Sequence, residues 1–179
     1  MFKDTIKESI FTSLMLLMNK KPYEKITIID ITRKAGVSRM SFYRHYSSKD
    51  DILLDAMNSV IAEFEENIAE DTDFTNFSDK YINMLVNNKA LLSCIVKAGS
   101  DDRFAYMVLN YHKSLYEKKL GKNEISETDM IKICFFTGGV HSVIKHWAET
   151  DFETDPAIML ECFRELQYIA NPSETAMSN

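Results

Sequence analysis

Residues that interrupt helices are scarce in this chain. Its 179 residues include three prolines and five glycines, and no run alternates β-branched and polar residues as a half-buried strand would. Long apolar runs are missing too, since the run Leu14–Met18 is far too short to span a bilayer. The first residues read as an amphipathic helix with Lys3, Asp4 and Lys7 on its polar side, not as a signal peptide. We therefore expect an all-α, cytoplasmic protein.

Cysteine is equally sparse. The three residues Cys94, Cys134 and Cys162 are odd in number and widely spaced, which argues against the disulfide framework of a small secreted domain. Each lies in an apolar helical context, so we expect buried thiols in a reducing compartment. A redox switch is the less favoured alternative.

Motifs of enzymatic chemistry and of metal binding are also missing from the sequence. It has no Gly-rich phosphate loop, no G-x-S-x-G turn, no paired cysteines and no H-E-x-x-H. His141 and His146 lie on the same predicted helix, but their spacing places them about 140° apart around it, so they cannot share an ion. These absences predict a protein that is not an enzyme and needs neither a cofactor nor a metal.

The chain does contain a segment, residues 27–49, that reads as helix, turn and helix. Thr27 can cap the first helix and form a capping box with Asp30. Gly36 can adopt a positive φ and make the sharp turn at the helix end. Ser38 then caps a second helix of about residues 39–46. In helix-turn-helix proteins this layout places the second helix in the DNA major groove.

The charge of the chain is distributed unevenly. Residues 1–50 contain ten Lys or Arg and five acidic residues, a net charge of +5, whereas the whole chain carries −6. Residues 51–179 therefore carry −11, and no acidic residue lies between Ile31 and Lys49. A basic module on an acidic body is typical of phosphate binding at one end only. The alternative is a solvated basic face on an ordinary three-helix unit, but the helix-turn-helix pattern favours DNA.

The segment from Ile26 to Leu53 resembles the N-terminal domain of the TetR family of bacterial transcriptional regulators. The shared pattern is I-T-I-x-D-I-x-x-x-A-G-V-S-x-x-S-F-Y-R-H-Y-x-S-K-D-D-I-L, in which turn glycine, caps, aromatics and lysine fall in register. The resemblance implies a homodimeric all-α protein whose N-terminal three-helix helix-turn-helix domain, residues 1–50, binds operator DNA. It also implies a C-terminal helical domain, residues 51–179, that binds an effector and dimerises.

The DNA contacts of the family carry over residue by residue. The implied set is Thr27, Ser38, Arg39, Met40, Ser41, Tyr43, Arg44, His45 and Lys49. Within it, Arg39, Met40 and Ser41 would face the base edges, where Arg suits guanine. Thr27 and Lys49 would hold phosphates at the starts of two helices. The others would cap the recognition helix or lie at or near the DNA backbone.

Caps and breakers predict about nine helices. Their expected ranges are 3–19, a pair flanking Gly36, 49–70, 75–88, 89–98, 101–120, 127–149, and one from Pro156 to just before Asn171. Phe42 and Tyr46 are expected to pack the recognition helix on the first two helices.

Helices eight and nine carry apolar stripes at steps of three and four residues. The predicted dimer interface consists of Ile133, Val140, Ile144, Trp147, Met159, Cys162, Leu166 and Ile169. Two such helices per subunit would form a symmetric four-helix bundle; packing inside one subunit is the alternative. Gly138 and Gly139 should each cost about 1 kcal/mol in a helix, which suggests close approach of another backbone or space for a ligand.

Helices four to seven are expected to enclose an effector pocket. The candidate ligand-binding residues are Tyr81, Met84, Phe104, Met107, Tyr111, His112 and Tyr116, which mix apolar surface with polar tips. We expect a repressor that a small-molecule effector releases from its operator, an inverted repeat. The alternative is a regulator, repressor or activator, whose C-terminal domain binds a protein partner. A sizeable closed cavity would favour the ligand, and a filled core with an exposed apolar patch would favour the protein.

Overall fold

The computed structural model describes residues 5–68, 76–120 and 124–170, and for residues 101, 119–120 and 166–170 it describes the backbone alone. Within these ranges the chain forms α-helices and one 3-10 turn, Tyr23–Lys25, and has no strand. The helices are α1 (Thr5–Met18), α2 (Ile28–Ala35), α3 (Arg39–His45), α4 (Lys49–Ile68), α5 (Phe77–Asn87), α6 (Lys89–Lys97), α7 (Asp101–Leu120), α8 (Glu127–Glu149) and α9 (Pro156–Ala170). The predicted all-α fold is confirmed. None of the described helices is long and apolar enough to cross a bilayer.

Several helices begin where a polar side chain accepts hydrogen bonds from otherwise unpaired N–H groups. At the start of α8, Ser126 Oγ accepts from the N–H of Asp129 at 3.1 Å. At the start of α4, Asp51 Oδ2 accepts from the N–H groups of Ser47 and Ser48 at 3.0 and 2.8 Å. Each such cap contributes about 1 kcal/mol. These helix starts therefore follow from local sequence.

The N-terminal domain packs α3 onto α1, α2 and the first turns of α4. Phe42, on the inner side of α3, is fully buried together with Leu14 of α1. The hydroxyl of Tyr46 donates to Asp55 of α4 at 2.8 Å, and Lys7 of α1 donates to the same carboxylate at 2.9 Å. The predicted packing of Phe42 and Tyr46 is confirmed, and α3 is fixed against both α1 and α4.

Helix α4 belongs to both halves of the molecule. It contacts α1 on the N-terminal side and α5, α6 and α7 on the C-terminal side. The predicted boundary between residues 50 and 51 falls inside its first turn and stays a prediction. One continuous helix therefore crosses this boundary, and the bond from Tyr46 to Asp55 ties it to the end of α3.

The centre of the C-terminal domain is filled by rings from α4, α5, α7, α8 and α9. This aromatic cluster consists of Phe64, Phe77, Tyr81, Tyr111, His112, Phe136 and Phe163. Neighbouring ring centroids are 5.3–6.2 Å apart, the range in which aromatic pairs attract each other by about 0.5–1.5 kcal/mol. The cluster holds five helices together around one point.

Candidate nucleic-acid interface

The turn between α2 and α3 is fixed by the residues that the sequence indicates. Thr27 Oγ1 accepts from the N–H of Asp30 at 3.1 Å, and the Asp30 carboxylate accepts from the N–H of Thr27 at 2.9 Å, which completes the capping box. Gly36 ends α2 with φ at 68°. Ser38 Oγ accepts from the N–H of Ser41 at 3.0 Å and caps α3. The two helices are thereby held in a helix-turn-helix arrangement.

The outer face of α3 consists of Arg39, Met40, Tyr43 and Arg44. All four side chains are exposed, Met40 to 76% and Tyr43 to 51%, and their spacing places them on one side of the helix. Two guanidinium groups thus border a thioether and a phenol. Such a face can pair with phosphates and guanine through Arg and touch thymine methyl groups through its apolar atoms.

Ser41 does not belong to the outer face. Its side chain is only 6% exposed and lies, like that of Phe42, on the side turned to the core. The prediction that Ser41 faces the base edges is therefore wrong, because successive residues of a helix are rotated by about 100° and this one is turned inward. His45 is half-buried, with its ring 6.4 Å from that of Tyr46, so it lies at the edge of the outer face.

The start of α2 carries a carboxylate as well as N–H groups. Lys21 Nζ donates to Asp30 at 2.8 Å, and this bond, with those from Thr27, holds the pKa of Asp30 far below its usual range. The capping box uses the N–H groups of Thr27 and Asp30. A phosphate here would therefore meet the N–H groups of Ile28 and Ile29, the other two of the first turn. The contact of Thr27 itself with phosphate stays a prediction.

Lys49 is built into the fold of the N-terminal domain. Its Nζ donates to the carbonyl oxygens of Tyr23 and Ile26 at 2.8 and 2.7 Å and lies 4.1 Å from the centre of the Tyr23 ring. Partial burial lowers the pKa of Lys49. An ammonium group has three N–H donors, so two serve these carbonyls and the third could serve a phosphate. Its DNA contact stays a prediction, and its structural role is to fix the segment that leads into α2.

A polar junction connects the first turn of α4 with the start of α7. The hydroxyl of Tyr23 donates to Asp50, which also accepts from Ser100 Oγ at 3.2 Å. Arg103 donates to Asp51 at 2.8 Å and lies 3.7 Å from Asp50. Burial and the bond to Asp50 raise the pKa of Tyr23 well above its usual range. Sequence reasoning missed this junction because Ser100 and Arg103 lie 50 and 52 residues from their partners and no local pattern connects them.

The structure brings together only part of the predicted ligand pocket. Tyr81, Tyr111 and His112 are buried neighbours in the aromatic cluster, with ring centroids 5.6 and 6.1 Å apart. Neither of the two grooves found among the described residues is lined by all seven predicted residues. The other four are dispersed: Met84 and Met107 line two different surface grooves, Phe104 packs beside His141, and Tyr116 donates to Asp129.

Two polar atoms of the aromatic cluster are buried without a hydrogen-bond partner in the part of the chain that the structure describes. They are Tyr111 Oη and His112 Nε2, whereas His112 Nδ1 lies 2.9 Å from Thr137 Oγ1 of α8. Burial lowers the pKa of His112 to about 4, so its ring is neutral at pH 7. An unsatisfied buried polar atom costs about 1–3 kcal/mol.

A groove of about 650 Å³ lies between α4 and α7, and we call it the α4–α7 groove. Its lining residues include Leu54, Asn58, Ile61, Glu65, Met107 and Tyr111. Its volume lies within the range of about 300–1,000 Å³ that is usual for small-molecule sites. Arg103 also lines it, so the groove reaches the polar junction.

The predicted dimer stripe faces the inside of the subunit. The side chains concerned are Ile133, Val140, Ile144, Trp147 and Met159, each at most 5% exposed. The prediction that they form the dimer interface is wrong, because the regular stripe of α8 packs on α6 and α7 of its own subunit and Met159 joins the same core.

The outer face of α8 is the side turned away from α6 and α7. It presents Ile131 and Phe135, which are 65% and 82% exposed, and also Val143. Gly138 and Gly139 lie between them, and a Cβ added at either would meet nothing within 4 Å. No neighbour among the described residues accounts for these glycines.

The cysteines do not share one environment. Cys94 is buried, and its burial raises the pKa of its thiol. Cys134 and Cys162 are exposed, so the prediction of three buried thiols is wrong for these two, which lie on the outer sides of α8 and α9. The side chains of Leu166 and Ile169 lie outside the described residues. Within the described ranges, no group of three or more His, Cys, Asp or Glu side chains is placed to hold a metal ion.

Comparison with protein families matches both halves of the chain. The model for bacterial regulatory proteins of the tetR family matches residues 10–56. A second model, for a transcriptional regulator C-terminal region, matches residues 72–168.

Two curated proteins resemble parts of the chain. The uncharacterized HTH-type transcriptional regulator YxbF of Bacillus subtilis strain 168 is 36% identical over 67 residues, 37% of this chain and 18% of that protein. The transposon Tn10 TetC protein of Escherichia coli is 28% identical over 99 residues, 51% of this chain and 50% of that protein. The chain therefore spans half or less of the length of these relatives.

Solved structures share the fold over nearly the whole chain. Lin0861 from Listeria innocua has a TM-score of 0.76 at 16% identity, covering 92% of this chain and 90% of that one. A TetR-family regulator from Syntrophomonas wolfei has a TM-score of 0.62 at 16% identity, covering 92% and 94%. The dihydroxyacetone kinase operon activator DhaS has a TM-score of 0.60 at 15% identity, covering 90% and 93%.

Proposed function

This chain belongs to the TetR family of bacterial regulatory proteins, and we propose that it binds operator DNA as a homodimer, represses transcription there and is released by a small-molecule effector. The outer face of α3 carries this proposal. Its two arginines border exposed Met40 and Tyr43, in a module of net charge +5 attached to a body of net charge −11. Such a face suits the edges of bases and the phosphates beside them.

The contacts divide between base reading and phosphate binding. Arg39 lies in the first turn of α3, where side chains reach the base edges, and can make two hydrogen bonds to guanine. The N–H groups at the start of α2 and the third donor of Lys49 are placed to bind phosphates. This division predicts that α3 determines the sequence preference and that the two helix starts determine the register.

The homodimer would form through the outer face of α8 and not through the stripe that faces the core. Members of this family bind operator DNA and dimerise. Ile131 and Phe135 are large and exposed, and a partner that covers them removes apolar surface from water. Gly138 and Gly139, which lie between Phe135 and Val143 on this helix, would let a second backbone approach closely. The exposed Cys162 of α9 would border this interface.

The effector would act through α4. Helix α4 follows α3 after three residues and is bonded to its end through Tyr46 and Asp55. A ligand that binds better when the two recognition helices are wrongly spaced for DNA would therefore release the operator. The α4–α7 groove and the polar junction both connect α4 with α7, so a ligand between these helices could change their relative position. DNA and effector must then weaken each other's binding by the same factor.

A protein partner in place of a small molecule is the second candidate. The aromatic cluster fills the centre of the C-terminal domain, and the described grooves open to solvent, which favours a surface interaction. The structural relative DhaS is named an activator, so activation is a further possibility for this fold.

Transcription from a promoter that the purified chain protects in a footprint tests the proposal. Deleting the gene should raise that transcription, and restoring the wild-type chain should lower it again. A chain with Arg39→Ala and Arg44→Ala should fail to restore it, because the outer face of α3 loses both cations. A fall in transcription on deletion would show an activator and contradict repression.

A further inference from the structure

We propose that Met40 of α3 recognises a thymine in each operator half-site by contact with the C5-methyl group that thymine displays in the major groove. This contact rests on the proposed function and adds a second base to the guanine assigned to Arg39. It follows from the exposure of Met40, from the cationic side chains beside it, and from the chemistry of its thioether.

Met40 is the most exposed large apolar side chain of the N-terminal domain in the part of the chain that the structure describes. It is 76% exposed, compared with 51% for Tyr43 and at most 48% for any other. A single exposed apolar residue is ordinary on a protein surface, but Met40 lies one helical turn from Tyr43, so the two form a joint apolar patch. The core of the domain is closed by Phe42 on the opposite side of α3. The apolar surface of Met40 is therefore available to a partner.

The charged groups beside Met40 select a polyanion as that partner. Arg39 precedes it, and Arg44 lies four residues on, the spacing at which two side chains are neighbours on one helix face. No acidic residue lies between Ile31 and Lys49, so nothing in this segment repels phosphates. When the two arginines bind guanine and phosphates of the major groove, Met40 between them faces the base edges.

The major groove offers one distinctive apolar contact. All four bases display hydrogen-bond donors or acceptors there, and only thymine also displays a methyl group. The thioether of Met40 has no donor and is a weak acceptor, so it gains little from the polar atoms of the other bases. Packing against the thymine methyl removes both apolar surfaces from water. Thymine is therefore the base that Met40 favours.

The contact also predicts where the thymine lies and which nucleic acid is bound. The Cα atoms of Arg39 and Met40 are about 3.8 Å apart, close to the step of about 3.4 Å between base pairs. Because both side chains are long, we expect the thymine within about two base pairs of the guanine that Arg39 reads. RNA carries uracil, which lacks the methyl group, and its major groove is too narrow for side chains, so the contact selects DNA.

Replacement of thymine by deoxyuridine tests the proposal, because it removes the methyl group and leaves the hydrogen-bonding groups in place. The probe is the duplex that the wild-type chain selects from randomised DNA, with its thymines replaced one symmetric pair at a time, and fluorescence anisotropy measures binding. At one pair we expect the wild-type chain to bind about fifteenfold more weakly, since each buried methyl group contributes about fourfold and there are two half-sites. Equal affinity for the thymine and uracil duplexes at every pair would overturn the proposal.

Variants of the chain assign the methyl contact to Met40. Met40→Ala should bind the thymine and uracil duplexes of the sensitive pair equally, because the shortened side chain no longer reaches the methyl group. Met40→Leu, which restores an apolar side chain of similar size, should again prefer thymine. Leu16→Ala is the matched control, at an exposed apolar residue of α1, and should keep the full preference of the wild-type chain. A Met40→Ala chain that still prefers thymine, or a Leu16→Ala chain that does not, would contradict the assignment.

Failure of this contact and failure of the proposed function give different results. A chain that binds all duplexes alike, with an affinity that falls steeply with salt, would still bind DNA but would contradict base reading by Met40. Insertion of Met40 between base steps, another way in which methionine meets DNA, would make affinity insensitive to the methyl group and would contradict the proposal too. A chain that binds no DNA would contradict the proposed function as well.

Discussion

The outer faces of α3 and α8 are alike in one respect and opposite in another. Each presents two large exposed side chains, Met40 and Tyr43 on α3 and Ile131 and Phe135 on α8. On α3 they are bordered by two arginines, whereas the stretch 133–144 of α8 contains no Asp, Glu, Lys or Arg. In the proposed function the bordering charge distinguishes the partners of the two faces: a polyanion for α3 and an apolar surface for α8.

The two faces also differ in how they are supported. Helix α3 has only seven residues and is held by Phe42 and by the bond of Tyr46 to Asp55. Helix α8 has 23 residues and packs along α6 and α7. A short helix such as α3 can enter the DNA major groove as a rigid unit. A long helix such as α8 offers an extended contact surface to a second copy of the chain.

The largest effect is expected from a charge on the apolar face. Phe135→Glu would bury two carboxylates in the interface of a symmetric dimer. We expect dimerisation to weaken at least about a hundredfold, or about 3 kcal/mol, and operator affinity to fall with it. Sedimentation velocity measures the association. Tyr106→Glu, which adds the same charge at an exposed aromatic residue of α7, should leave the dimer intact, and a Phe135→Glu chain that still dimerises would break the comparison.

Replacing a cation on the other face should change sequence preference. Arg39→Ala should cost about 1–3 kcal/mol on the cognate operator and relax the preference at one base position. Lys49→Ala is the matched control, because loss of a phosphate contact should weaken all sequences alike and lower the salt slope by about one. Ser41→Ala should not change the preference, since Ser41 is buried. Uniform losses for Arg39→Ala across a randomised operator library would refute base reading by Arg39.

A change of pH should act on the inner side of α8, where Thr137 contacts His112. The pKa of His112 is about 4 in the folded chain, against an ordinary value of 6.5. Below pH 6.5 the unfolded chain therefore binds a proton that the folded chain does not, and stability falls as the pH falls towards 4. Between pH 6.5 and 5 the loss from this group should be about 2 kcal/mol. Urea unfolding measures it, and His112→Gln should reduce the slope; an unchanged slope would contradict the buried neutral ring.

The smallest expected effect concerns Gly138, whose surroundings should differ between the separated subunit and the dimer. Gly138→Ala should raise stability by about 1 kcal/mol in a Phe135→Glu background, because an added Cβ meets nothing within 4 Å among the described residues of the subunit. With Phe135 in place, the same methyl group should weaken dimerisation, because it would meet the second copy of α8. Tighter dimerisation of Gly138→Ala would mean that no backbone approaches there.

Local signals predicted much of the fold. Thr27 with Asp30, Ser38 and Ser126 form the caps that the sequence indicates, since a cap requires only residues three positions apart. The bounds 127–149 of α8 agree with the structure at both ends, and the cap at Ser126 accounts for its start.

The sides of helices were harder to assign. Helix α8 is apolar on two sides, so its regular stripe could not show which side meets its own subunit. The second apolar stripe, with Phe135 and the two glycines, was the signal that could have identified the outer face. Ser41 follows the family pattern but is turned inward, and only the packing of α3 reveals this. The Arg103–Asp51 pair spans 52 residues and requires the tertiary fold.

Selection of binding sites from randomised DNA by the purified chain tests the central claim most directly, because it requires both outer faces. If α3 reads bases and α8 joins two copies, the selected sequences should form an inverted repeat with half-sites about 34–36 Å apart, one helical turn. A single asymmetric site bound by one subunit, with the affinity of the full protein, would contradict the account.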